Sequence, residues 1–90
     1  MQSPQQRLHL MAIRPEHLNR LALLGEILVA VRLRNHLTTA QLAEHLDMHE
    51  AFVLDYESGK YRLDLPELVD VSDALRIDVV ELLNLYQQRI

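Results

Sequence analysis

The sequence predicts an all-α fold, five short helices in one domain, on three observations. At 90 residues the chain has room for a single domain. Nineteen leucines against two glycines, one phenylalanine and no tryptophan is a helical composition, because strands favour β-branched and aromatic residues and their turns need glycine. Helix-start signals also recur at short intervals, as two first-turn prolines and two capping boxes. Residues 1–14 read as an N-terminal arm and residues 15–90 as the folded unit.

The first helix starts near Pro15, whose missing amide hydrogen costs nothing at the first helical position, with Glu16 suited to the positive end of the dipole. Leu21, Leu24, Leu28 and Val31 recur at helical spacing, while Leu23, Ile27, Val29 and Leu33 fall on other faces, so this helix is covered from more than one side. Gly25 is a weak point within it, and the reading is one helix to about Asn35. Thr38 with Gln41 forms a capping box that opens a second helix, Thr39 to Leu46. A short interruption leads to a third, about His49 to Ser58, closed by Gly59 as a left-handed cap. After a polar loop, Pro66 marks a fourth helix ending near Arg76. Asp78 with Glu81 reads as a second capping box, opening a fifth helix through Tyr86 to about residue 88.

Composition also excludes function classes. Without cysteine there is no disulfide and no thiolate zinc site, a composition compatible with a reducing compartment. The longest apolar runs, Leu21 to Leu24 and Ile27 to Val31, are far below the roughly 20 residues a membrane span needs. The N-terminus lacks the apolar core of a secretory signal, so a cytoplasmic location is expected. His45 and His49 are four apart but flank the interruption between two helices, so no metal-binding face is expected of them or of His36. No serine or threonine is paired by spacing with a histidine and an acid, and no glycine-rich phosphate loop exists, so neither an enzyme nor a cofactor is expected.

The second and third helices form the informative unit. Leu42, Ala43, Leu46, Met48, Val53 and Tyr56 occupy the offsets that must be apolar if two short helices cross steeply, and a small residue such as Ala43 lets their backbones approach. Over about residues 24–83 the chain resembles the Cro/phage-repressor (Xre-like) helix-turn-helix domains, through LGEILVAVRLRNHLTTAQLA, FVLDYESGKYRLD and the closing ALRIDVVELL. The resemblance implies a five-helix repressor-like DNA-binding domain, here with an N-terminally extended first helix. It also implies an ion pair between Arg32 and Glu57 at the root of the third helix, a pairing that an arginine fork and a carboxylate suit bidentately. Asp47 stands where such turns usually have glycine, and aspartate tolerates the left-handed region better than most residues.

Carried over residue by residue, the resemblance places His49, Glu50, Ala51 and Asp55 against base edges in the major groove of double-stranded DNA. Thr39 and Gln41 at the start of the second helix, and Lys60, Tyr61 and Arg62 after the third, fall on backbone phosphates. The chain departs from its relatives in carrying Leu54 and Asp55 where many have a serine and a basic residue before the tyrosine-glutamate pair. A carboxylate can accept from the cytosine amino group, so Glu50 or Asp55 retains a base-reading role. Between Thr38 and Asp70, however, eight carboxylates face only Lys60 and Arg62, a net charge of −6 within a chain of net charge −4. Such a surface weakens phosphate binding.

The surplus apolar surface of the first helix implies a homodimer through Leu23, Ile27 and Leu33, with the fifth helix (Leu82, Leu85, Ile90) as a second candidate; the monomeric alternative has Leu8, Leu10 and Ile13 folding back over it. Two function classes follow. One is a small DNA-binding transcriptional regulator, repressor-like and dimeric. The other is a helix-turn-helix fold used for contact with a protein partner, with weak or no DNA binding because its third helix is acidic.

Overall fold

The computed structural model describes residues 15–90. Among them the chain forms five helices and no strand: α1 Pro15–Arg34, α2 Thr39–Leu46, α3 Glu50–Glu57, α4 Leu65–Ala74 and α5 Val79–Arg89. Each expected helix is present: α2 has the expected bounds and the other helices end within two residues of theirs. The expected arm of residues 1–14, with Leu8, Leu10 and Ile13, lies outside the described residues.

α1 is the central element, packing on both α3 and α5, while α2 packs on α3 and α4, and α4 on α5. This accounts for the wide apolar face of α1: Ile27, Leu28 and Val31 are buried within one protomer, Leu23 and Leu24 pack at their side, and Leu33 on another face stays exposed. The core is completed by Leu42 and Ala43 of α2, Val53 and Tyr56 of α3, Leu68 and Val71 of α4, Leu75 and Ile77 beyond it, and Leu82 of α5. Fully burying one such aliphatic side chain contributes about 1.5–3 kcal/mol.

α1 runs unbroken through Gly25, and the weak point has a packing reason. A Cβ there would collide with the backbone carbonyl of Glu57 and lie 3.0 Å from the carbonyl of Tyr56. Glycine thus lets the last turn of α3 lie directly on α1. Gly59, with φ +79°, closes α3 as expected, and a Cβ on it would stand 3.1 Å from Ala22 of α1.

Three of the four interhelix connections share one pattern. His36, Asp47 and Arg76 adopt left-handed φ of 58°, 55° and 57°, each followed by an apolar residue and then the cap of the next helix, Thr38, His49 or Asp78. The amides of Leu37, Met48 and Ile77 donate to the carbonyls of Arg32, Ala43 and Ser72 at 3.2, 3.0 and 3.0 Å, the long bond of a Schellman motif. Thr38 and Gln41 make the expected capping box. The second box is at Asp64 and Glu67, opening α4, whereas Asp78 caps α5 through a single bond from the Val80 amide at 2.7 Å. Asn35 Nδ2 donates to the carbonyls of Val31 and Leu75, both at 2.9 Å, tying the ends of α1 and α4 together.

Candidate nucleic-acid interface

The α2–α3 pair has a closed inner side and an open outer one. Leu42, Ala43, Val53 and Tyr56 are buried, with Leu46 and Phe52 packed against them. Glu50, Ala51, Leu54 and Asp55 are exposed on α3.

α3 is fixed at both ends. At its C-terminal end Arg32 Nε donates to Glu57 Oε2 at 2.7 Å and the NH2 group to Oε1 at 3.1 Å, while NH1 donates to the Leu37 carbonyl at 2.9 Å. The expected ion pair is therefore bidentate, and its side chains are only 12% and 8% exposed. Such a fork sets orientation as well as contributing energy. Beside it the Tyr56 hydroxyl is buried without a hydrogen-bond partner among the described residues. Burial first and the Glu57 carboxylate second push this phenol well above its ordinary value, with Arg32 opposing. At the N-terminal end the Thr39 hydroxyl donates to Glu50 Oε2 at 2.6 Å, joining the first turn of α2 to that of α3.

These contacts sort the residues expected at the interface. His49 is the exposed N-cap of α3, and its side chain makes no capping bond. Ala51 and Asp55 lie on the open face. Glu50 and Thr39 are spent on each other, so the anion nearest the start of α2 is this carboxylate. Gln41 is committed through its side-chain carbonyl to the Thr38 amide at 2.9 Å, leaving its amide group outward. Lys60 and Arg62 are exposed in the loop after α3.

Tyr61, placed on phosphate by the resemblance, is turned toward α4 instead. Its ring packs edge-on against Phe52 with centroids 5.4 Å apart, and its hydroxyl donates to Glu67 Oε2 at 2.7 Å. Glu67 also accepts the Asp64 amide, and this bond first and the Tyr61 hydroxyl second hold its carboxyl below the usual range, while the hydrogen bond to Glu67 raises the Tyr61 phenol. The signal for this arrangement was the Asp64-x-x-Glu67 spacing. Leu54, at 49% exposure in the middle of the open face, is the site residue that sequence reasoning recorded only as a departure.

Of the three residues expected at a dimer interface, Ile27 is instead in the core at 6% exposure and Leu23 packs against it, because α1 is covered within its own chain; Leu33 remains 58% exposed. On the fifth helix Leu82 is fully buried and Leu85 partly so, which leaves Ile90 of that trio outside.

No curated protein matches the chain. Among solved structures, the clp gene regulator ClgR from Corynebacterium glutamicum is similar with a TM-score of 0.73 and 22% identity, over 79% of this chain and 92% of that one. The restriction-modification controller protein C.AhdI from Aeromonas hydrophila is similar with a TM-score of 0.66 and 26% identity, over 69% of this chain and 94% of that one. A helix-turn-helix domain family matches residues 23–85, the stretch that runs from the middle of α1 into α5 and contains the α2–α3 pair. With that match over most of its length, the chain belongs to the helix-turn-helix domain family, of the Cro/repressor (Xre-like) type.

Proposed function

We propose that the protein is a small DNA-binding transcriptional regulator that acts in the cytoplasm as a homodimer, without a cofactor and without catalysis. The observation that carries this reading is the mounting of α3: held at Glu50 and Glu57, it presents Ala51, Leu54 and Asp55 outward on a rigid support. Side chains that read bases need such preorganisation. α3 enters the major groove, and Lys60, Arg62 and the free amide of Gln41 meet the flanking phosphates. Family membership and the regulator neighbours support this reading.

The acidic charge between Thr38 and Asp70 makes binding weak, with a shallow salt slope set by the few cations that meet phosphate, and it makes two half-sites necessary. It also favours a second reading, contact of the same face with a basic protein partner. Selection from a random duplex library at about 50 mM salt separates the two. The expected result is a palindromic motif, with binding lost in the Lys60→Ala, Arg62→Ala double variant and the salt slope reduced by about 2 in either single variant, one contact from each subunit. A folded dimer that enriches no DNA overturns the regulator and leaves the protein contact.

A further inference from the structure

The open face of α3 lacks the donors with which most recognition helices read DNA. Glu50, Ala51, Leu54 and Asp55 include no arginine, lysine, asparagine or glutamine. The hydroxyls at its two ends are spent: Thr39 donates to Glu50, and Ser58 donates to the Asp55 carbonyl at 3.1 Å. Guanine offers only acceptors in the major groove, so the side chains within α3 have nothing to give it, and a donor stands only at the margin of this face, in the exposed His49 imidazole at the N-cap.

We propose that α3 selects cytosine, with the Asp55 carboxylate accepting from the N4 amino group and Leu54 lying against the C5 edge; this deepens the DNA-binding reading above and rests on it. Only two major-groove groups donate to a carboxylate, the N4 amine of cytosine and the N6 amine of adenine. The adenine amine lies between two acceptors, its own N7 and the thymine O4, both of which repel a carboxylate. The cytosine amine has an acceptor on one side only, the guanine O6, and the apolar C5–H on the other.

An acid flanked by an exposed apolar side chain fits that second edge, and Leu54, half exposed in mid-helix, flanks the face of Asp55 about 100° round the helix. Ala51, one turn before Asp55 on the same face, lets the base edge approach. Glu50 is a positioning residue, since its carboxylate is held by Thr39. The same geometry accepts a methyl group at C5, so 5-methylcytosine is a ligand and not an obstacle.

The test uses the full chain and fluorescein-labelled duplexes carrying the motif recovered from the random library, with binding followed by anisotropy at about 50 mM salt. Each half-site is expected to hold a C·G pair whose replacement by T·A weakens binding about 5- to 150-fold, the range of one good base contact. Replacing the opposing guanine by 7-deazaguanine leaves binding unchanged, and 5-methylation of the cytosine leaves it unchanged or tightens it. In Asp55→Ala, which removes the acceptor, the preference for C·G over T·A disappears while binding to unrelated duplex is retained, and in Leu54→Ala any tightening by methylation is lost. A motif indifferent to Asp55→Ala, sensitivity to 7-deazaguanine, or binding abolished by 5-methylation overturns the cytosine assignment. DNA binding without any motif overturns it too but leaves the regulator standing, whereas no binding to any duplex overturns both.

Discussion

Gly25 sits inside a 20-residue helix, where glycine costs about 1 kcal/mol relative to alanine. On propensity alone Gly25→Ala would stabilise the chain. The Glu57 carbonyl occupies the space a Cβ would take, and backbone on both sides leaves no flexible side chain to give way. We expect Gly25→Ala to destabilise by about 1–3 kcal/mol in urea or thermal unfolding, the usual cost of overpacking. A gain in stability would contradict the close approach of α3 to α1. Glu67 carries a different test, because its carboxyl is held low by the Asp64 amide and the Tyr61 hydroxyl. A carboxyl depressed in the fold contributes its full stability above the unfolded value of about 4.3, and loses it as pH falls through the lower folded value. The Tm difference between the wild-type chain and Glu67→Gln should therefore narrow between about pH 5 and pH 3, and a gap independent of pH would show that the charge is not what the two donors hold.

Helix boundaries were legible wherever a residue type has one physical use at a terminus. Thr38 with Gln41, Pro15, Pro66 and Gly59 each placed an end within two residues. The endings of α1, α2 and α4 were harder, because non-glycine residues hold the left-handed position that usually announces itself as glycine. Asp47 could be anticipated from the turn; His36 and Arg76 carry no such signal. The second capping box was read at Asp78 and Glu81, but Asp64 and Glu67 hold the reciprocal bonds, and spacing alone does not distinguish two equal candidates. A left-handed side chain costs roughly 1–2 kcal/mol relative to glycine. Arg76→Gly is therefore expected to raise stability by about 1 kcal/mol in chemical denaturation. A loss would mean that the arginine side chain makes a compensating contact at the α4–α5 connection.

In the whole molecule, the buried half of the interface was more legible than its exposed half. Arg32 with Glu57, and Ala43 at the helix crossing, are fixed by packing and pairing, which leave strong patterns. The engagement of Tyr61 with Glu67 and of Thr39 with Glu50 depends on which of several polar neighbours a surface side chain meets, and no periodicity encodes that choice. The cover of Leu23 and Ile27 was hard to read for a related reason: an apolar helix face announces burial without saying whether the cover is the same chain or another. The structure covers Leu23 and Ile27 with the chain itself and leaves a different stripe open. Val80 and Leu83 of α5 and Ile90 just past its end are 61%, 40% and 60% exposed, and with Gln87 they recur at three- and four-residue steps. That spacing forms the seam of paired helices, and an apolar seam on an otherwise polar surface is best buried against its own copy. We expect Val80→Glu with Leu83→Arg to shift sedimentation equilibrium from dimer to monomer at tens of micromolar, a regime suited to a small interface, while leaving the helical circular dichroism intact. Loss of palindromic DNA binding in the same variant, with Lys60 and Arg62 untouched, would tie assembly to recognition. A variant that stays dimeric would move the interface to another surface, with Leu33 as the next residue to change.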